Sequence, residues 1–286
     1  MPDSSLSAVV RAAAQRLADV GVPEPLVDAE LLAGHVTGRS RGEVQAAIVR
    51  GDRIDEEDAA ALEELVVRRC AREPLQHITG TAPFRHLELA VGPGVFVPRP
   101  ETETVVQYAI DALLNAAEPA PIGVDLGTGS GAIALAMATE VPHARIFAAE
   151  LSADAHAWAS RNVAGVENLT LVLADLDDAF PELDGEATVV ISNPPYVPDA
   201  AIPRDPEVRL FDPAMALYGG EDGLDVVRRL STRALRLLHP GGLLVIEHGE
   251  LQGEAIRAIL TADGWRAAAT HRDLTLRDRT TTALRP

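Results

Sequence analysis

Asn193-Pro194-Pro195-Tyr196 follows the apolar run Thr188-Val189-Val190-Ile191-Ser192, which has the composition of a buried strand. The two prolines remove two backbone donors and stiffen the turn. What remains is a pair of acceptors, the Asn193 side-chain oxygen and the Pro194 carbonyl, beside the aromatic face of Tyr196. This set suits a planar NH₂ group that donates one hydrogen to each acceptor and packs its π-system on the ring. An amide nitrogen is a poor nucleophile because its lone pair is conjugated. Two acceptors fix it, favour partial pyramidalisation and stabilise positive charge as it develops. Holding that nitrogen in line with an electrophilic methyl supplies much of a rate gain through orientation. Asn193, Pro194 and Tyr196 are therefore the candidate catalytic residues. Pro195 joins them in substrate binding, and Arg99, flanked by prolines, is either at the mouth of the site or a loop arginine. Asn-Pro and Pro-Pro are also ordinary turn formers, and the four residues alone do not separate an adenine amino group from a glutamine amide.

A second constellation lies upstream. Asp125-Leu126-Gly127-Thr128-Gly129-Ser130-Gly131 stands between a short apolar strand, Ile122 to Leu126, and a helix beginning near Ala132. Glycines there permit positive φ and close approach of a ligand to the backbone. The spacing is neither the Gly-x-Gly-x-x-Gly dinucleotide fingerprint nor a P-loop, since no Lys-Ser/Thr follows. A second strand, Arg145 to Ala149, leads into Glu150, an acid placed to accept both hydroxyls of a ribose. Asp175, after a third strand at Leu169 to Leu173, is a candidate for an adenine amino group; its neighbours Asp177 and Asp178 make an exposed acidic turn the alternative. These residues indicate a nucleotide-like cofactor without choosing S-adenosylmethionine over a nicotinamide.

The elements that must carry these residues alternate from Glu101 onward as helix and strand. They predict an α/β, doubly wound, mainly parallel sheet with ligands at the carboxyl ends of its strands. A fifth strand is expected at Gly242 to Glu247 and two closing strands near 265–271 and 279–284. Residues 1–72 read as a small helical bundle: apolar residues recur at helical spacing, Ser40 to Glu43 has capping-box spacing, and the fourth helix runs from acids at Asp55 to Asp58 to bases at Arg68 and Arg69. Residues 73–100 read as a connector. A hairpin is expected there from Gln76-His77-Ile78 through Thr79-Gly80-Thr81 to His86-Leu87-Glu88-Leu89, followed by a segment too rich in Pro and Gly for a helix. The domain expectation is thus a bundle at 1–72, a connector at 73–100 and a catalytic domain at 101–286, with the bundle helping to dock the substrate.

Among 286 residues the net charge is −18 and every one of the 25 basic residues is arginine. An acidic surface disfavours nucleic-acid backbone and favours a basic protein partner. One cysteine, Cys70, excludes an internal disulfide and reads as a small apolar side chain near a helix end. His77, His86 and His248 lack metal-ligand spacing, so no metal is expected; His248 beside Glu247 reads as a strand-end pair. Gly219-Gly220-Glu221-Asp222-Gly223 reads as a loop and helix start, with a lid as the alternative. No signal peptide or membrane-spanning run is apparent, so a cytoplasmic protein is expected.

With both motifs placed, the chain resembles the HemK/PrmC family. The resemblance rests on Arg72-Glu73-Pro74-Leu75-Gln76, Pro98-Arg99-Pro100-Glu101-Thr102-Glu103, Asp125 to Gly131, Ser192 to Tyr196 and Glu247-His248-Gly249, in that order along nearly the whole chain. It implies a seven-stranded, Rossmann-like methyltransferase domain behind an N-terminal bundle. It further implies methyl transfer from S-adenosylmethionine, with S-adenosylhomocysteine as product, to the glutamine of the Gly-Gly-Gln motif of class-1 peptide chain release factors. Cofactor contacts fall on Gly127, Thr128, Gly129, Ser130, Gly131, Glu150, Asp175, Leu176 and Asn193, and substrate contacts on Asn193 to Tyr196. Two positions depart from the family pattern. Asp175-Leu176 stands where some members carry an aromatic after the acid, and Glu150 where Asp is commoner. A ribosomal-protein glutamine methyltransferase, a DNA or RNA adenine methyltransferase and a non-catalytic S-adenosylmethionine-binding regulator are the alternatives.

Overall fold

The computed structural model describes residues 5–286. In chain order the elements are α1 (Leu6–Asp19), α2 (Pro25–Thr37), α3 (Arg41–Arg50), α4 (Glu56–Cys70) and α5 (Leu75–Thr79), then the hairpin β1 (Thr81–Phe84) and β2 (Leu87–Ala90), and α6 (Pro100–Leu114). There follow β3 (Ile122–Leu126), α7 (Ala132–Glu140), β4 (Arg145–Glu150), α8 (Ala153–Asn162), β5 (Leu169–Leu173) and β6 (Ala187–Ser192). The chain continues with α9 (Pro206–Phe211), α10 (Ala214–Leu217), α11 (Asp225–Leu237), β7 (Leu238–Glu247), α12 (Gly253–Ala262), β8 (Arg266–Arg272) and β9 (Asp278–Leu284).

The chain divides into two compact units, one reaching Gly80 together with Arg204–Phe211, the other Thr81–Pro203 with Asp212–Pro286. The first unit buries Leu6, Val10, Leu17, Ala29, Leu32, Val44, Leu62 and Val66 in one cluster. Each fully buried Val or Leu of this kind contributes about 1.5–3 kcal/mol. Three of its helices start on side-chain caps: Ser5 for α1, a reciprocal Ser40–Glu43 capping box for α3, and Asp55 for α4. Cys70 is the last residue of α4 and is half-buried.

The second unit carries a seven-stranded sheet in the order β5-β4-β3-β6-β7-β9-β8, as expected for a doubly wound α/β methyltransferase domain. β3 to β7 pair in parallel, and β9 pairs antiparallel with both β7 and β8. From β3 the chain winds outward through β4 to β5, then crosses back to lay β6 on the other side of β3. That reversal is the switch point at which such sheets open a ligand crevice. Among the described residues no helix is long and apolar enough to cross a membrane.

Three expectations are corrected. Gln76-His77-Ile78 is not a strand of the hairpin but the middle of α5. Pro74 occupies its N-cap, His77 and Ile78 are its buried side chains, and Gly80 stops it at φ 77°. Short apolar runs do not distinguish strand from helix by period, and the hairpin proper turns one step later, with Phe84 opposite Leu87. β7 begins at Leu238, not Gly242, because Ala187 pairs with Leu238 across an irregularity that accommodates Pro240-Gly241-Gly242. The connector does not stand apart: it parts at Gly80, and the distant segment Arg204–Phe211 groups with the helical unit.

Candidate active site

Parallel register sets Asp125 of β3 beside Ile191 of β6, so the turns that follow the two strands emerge side by side. The Ser192 hydroxyl locks them together by donating to the Leu126 carbonyl at 2.6 Å. The two sequence motifs are thus brought to one edge of the sheet.

In the glycine turn, Gly127, Gly129 and Gly131 hold φ of 77°, 59° and 85°. A Cβ at Gly127 or Gly129 would meet nothing within 4 Å, so their outer face is open and glycine is required by conformation, not crowding. The amides of Gly127 and Thr128 both donate to the Ala149 carbonyl of β4, at 2.9 and 3.0 Å. From α8, the Asn162 amide donates to the Ser130 carbonyl at 2.9 Å and to Ala90 of the hairpin at 3.0 Å, which fixes the far side of the turn. The Glu150 carboxylate accepts from Gly129 N and Ser152 N, both at 2.8 Å, leaving acceptor capacity on each oxygen. Sequence reasoning did not single out Asp125. It is fully buried, takes a 2.6 Å hydrogen bond from Thr128 on Oδ2, and has no partner for Oδ1. Burial pushes its carboxyl up to about 7. Hydrogen bonds from Thr128 and the Ala134 backbone oppose that burial, so the carboxyl anchors the turn from below.

Asp175 and Leu176 follow β5. The Asp175 carboxylate is ion-paired with Arg229 of α11, which also bonds Asp177 Oδ2 at 2.9 Å, and Leu176 packs against the core beneath the sheet. Any adenine contact at Asp175 must therefore be made while Arg229 holds it.

Asn193 is half-buried and Pro194 buried. The next residues are braced by Leu217, by the loop Gly219-Gly220-Glu221-Asp222-Gly223 and by Gln252. Val197 N donates to Leu217 O at 2.8 Å, Gly219 N to Val197 O at 3.0 Å, and the Gln252 amide to Tyr196 O at 2.9 Å. This loop is a support packed against the Asn-Pro-Pro-Tyr backbone. A Cβ at Gly219 would lie 2.4 Å from the Pro195 carbonyl oxygen and one at Gly223 2.3 Å from that of Tyr196. Gly219→Ala must therefore displace the turn. A shift near 1 Å is expected to cut kcat by on the order of 10²-fold while the protein stays folded. Steady-state kinetics beside a thermal melt check this, and an unchanged kcat would mean the carbonyl yields freely.

Arg99 caps α6, stacks over Phe96 at 4.9 Å and donates to Asp212 Oδ2 at 2.9 Å. Its charge reaches Tyr196, but burial dominates there, pushing the phenol up to about 12, with the Glu247 charge adding to it. Tyr196 is therefore a neutral ring at physiological pH, not a base. Two further residues stand at the site: Thr102, which sequence reasoning did not single out, and Glu247, which it read only as half of a strand-end pair. Thr102, in the first turn of α6, accepts from Asn193 Nδ2 at 3.5 Å, and Glu247, at the end of β7, is only 1% exposed. His248, by contrast, is accounted for structurally. Nδ1 lies 2.8 Å from Gly249 O and so carries the hydrogen, leaving Nε2 to accept from Thr281 at 2.9 Å. Burial lowers its pKa and keeps it neutral.

Comparison with known proteins agrees with this geometry. Residues 8–80 match the family described as PrmC N-terminal domain, and residues 88–221 the methyltransferase small domain. A release factor glutamine methyltransferase of Streptomyces coelicolor is 52% identical over 280 residues, 97% of each chain. One from Bifidobacterium longum is 44% identical over 95% of this chain and 96% of its own. A 4-amino-L-phenylalanine/4-methylamino-L-phenylalanine methyltransferase of Streptomyces pristinaespiralis is 43% identical over 72% of this chain and 71% of its own. With near-complete coverage at such identity, the chain belongs to the release factor glutamine methyltransferase family.

Proposed function

We propose that this enzyme transfers a methyl group from S-adenosylmethionine to the side-chain amide nitrogen of the Gly-Gly-Gln glutamine in class-1 peptide chain release factors. The observation that carries the reading is the junction of the glycine turn and Asn193-Pro194-Pro195-Tyr196 at the β3/β6 switch point, tied by Ser192. When bound, S-adenosylmethionine supplies an electrophilic methyl on a sulfonium that leaves as the neutral thioether of S-adenosylhomocysteine. The residues to hold it are Gly127 to Gly131, Glu150, Asp175, Leu176 and Asn193. Asn193 Oδ1 and the Pro194 carbonyl accept the two amide hydrogens, and the Tyr196 ring packs against the amide plane. Arg99 borders the substrate. These contacts would hold the nitrogen lone pair towards the methyl that S-adenosylmethionine would supply, and one amide proton would pass to water after transfer. No strong base is needed before transfer, which agrees with a Tyr196 phenol that stays protonated.

The helical unit ahead of the catalytic domain is assigned to docking the protein substrate, and the net charge of −18 opposes nucleic acid as substrate. The test is incubation with labelled S-adenosylmethionine and purified release factor, a Gly-Gly-Gln peptide, ribosomal proteins, RNA or DNA, read by mass spectrometry. One methyl on the release-factor glutamine is expected, with a lower KM for the whole factor than for the peptide. Methylation of nucleic acid or ribosomal protein alone would overturn the substrate assignment. Equal KM values would overturn the docking role.

A further inference from the structure

The Asn193 side chain presents an oxygen and an NH₂ of nearly the same shape, and only the oxygen can accept a hydrogen from an amide nitrogen. Turned the other way, Asn193 would confront the substrate NH₂ with its own. Nothing in an asparagine selects between the two, so the selection must come from its neighbours. Nδ2 of Asn193 faces the Thr102 hydroxyl oxygen at 3.5 Å. Thr102 and Asn193 both act to lower the pKa of the buried Glu247 carboxyl, as hydrogen-bond donors to it would. Three elements converge here: the first turn of α6 brings Thr102, the end of β6 brings Asn193, and β7 brings Glu247 one residue beyond the Ser192–Ile246 pairing.

We propose that Glu247, acting directly and through Thr102, is a positioning residue that turns the Asn193 amide so that its oxygen is the end left for the substrate nitrogen; this rests on the reading of Asn193 as the acceptor. The hydrogens run one way. Asn193 Nδ2 donates to Thr102, the single Thr102 hydrogen goes to Glu247, and an ionised carboxylate can only accept. The reverse orientation would set Asn193 Oδ1 against oxygen lone pairs in a buried site, where an unmatched polar contact is costly.

The surroundings favour this role over that of a strand-end carboxyl. Glu247 is 1% exposed, yet its Oε2 has no hydrogen-bond partner, unusual for a group that serves only to complete a fold. The charged and titratable groups that face it are Arg279 from β9, Glu101 from α6 and Tyr196. Arg279 is shared: it donates to His248 O at 3.1 Å and stands 3.8 Å from Asp273. Burial therefore prevails, with Glu101 adding to it against Thr102, Asn193 and Arg279, and Glu247 titrates at about 7. A protonated Glu247 can donate as well as accept, so the one-way run of hydrogens weakens below neutrality and strengthens above it.

Two readouts test this. In the ¹⁵N–¹H spectrum of the intact enzyme, the Asn193 side-chain NH₂ pair, identified by its loss in Asn193→Asp, is expected to shift with a midpoint near pH 7. It should not do so in Glu247→Gln, whose amide can present hydrogens to Thr102. In methylation assays, Glu247→Gln and Thr102→Val are expected to lose about tenfold or more in kcat. The affinity for S-adenosylhomocysteine should stay within about twofold, and Thr102→Ser should recover most of the rate. If Glu247→Gln does not fold, the Thr102 pair decides. An Asn193 pair that does not titrate, or a folded Thr102→Val with wild-type kcat, overturns the inference even where release factor is methylated. Failure to methylate release factor overturns the proposed substrate and leaves the spectral test standing.

Discussion

Asn193→Ala is expected to lower kcat by roughly 10²–10³-fold, the loss seen when one preorganised hydrogen-bonding group is removed from a developing charge. The substitution deletes the side-chain acceptor but leaves the Pro194 carbonyl and the Tyr196 ring. The substrate amide can still enter, and the loss should appear in kcat more than in KM for the release factor. The turn should persist, since its supports are the backbone bonds of Val197 and Gly219 and the Gln252–Tyr196 contact, none of which involves the Asn193 side chain. Single-turnover kinetics beside calorimetric titration with S-adenosylhomocysteine separates two roles. A large fall in rate with binding retained assigns Asn193 to the nucleophile. An equal fall in both would confine it to its cofactor contact, and a near-wild-type rate would remove it from the chemistry.

The motifs that could be read from the chain are those whose chemistry is a backbone property. Glycines at 127, 129 and 131 announce positive φ, and Pro194-Pro195 announces a turn with carbonyls to spare; both statements survive without knowing what lies nearby. The alternation of strand and helix likewise carries the winding of the sheet. Thr102, Asp125 and Glu247 were not legible as functional because their meaning lies in burial. An acid in Ile122-Gly123-Val124-Asp125-Leu126 or at the end of Val245-Ile246-Glu247 looks like the polar end of a strand until the sheet closes over it. A usable signal was nevertheless present: Asp125 interrupts an apolar strand and Glu247 directly ends one, and a buried charge is costly unless it has a task.

Other misreadings have a different cause. Gln76-His77-Ile78 carries no period long enough to tell strand from helix, and the capping Pro74 and terminating Gly80 decided it. The brace role of Gly219 and Gly223 depends on carbonyls of Pro195 and Tyr196 that approach within 2.4 Å of where their Cβ atoms would be. The affiliation of Arg204–Phe211 with the helical unit rests on ion pairs that span more than a hundred residues, beyond any local pattern.

Those ion pairs support the largest expected effect on stability. α9 has only six residues, too few to hold a helix by backbone bonds alone. Its Glu207 is 8% exposed. It accepts from Arg69 Nη1 at 2.7 Å and from Arg72 Nε and Nη2 at 2.8 and 2.6 Å, while Arg69 Nε reaches Asp28 at 2.7 Å. Glu207→Ala leaves the buried Arg69 and the half-buried Arg72 short of counter-charge, which is expected to cost about 3 kcal/mol, the low end for breaking a buried pair. Glu207→Gln keeps the shape and should cost less, since one oxygen still accepts. The pH dependence has a definite sign. Burial alone would raise the Glu207 carboxyl, but hydrogen bonds from Arg72 and Arg69 outweigh it and hold the group at about 2, below its ordinary 4.5. A depressed folded pKa means the native state binds fewer protons than the unfolded chain. The contribution is therefore complete above pH 4.5 and drains away as pH falls towards 2. Urea midpoints at pH 7, 4 and 3 should fall more steeply for the wild type than for Glu207→Gln. Parallel curves would show that the pair of arginines confers no net stability through its charge.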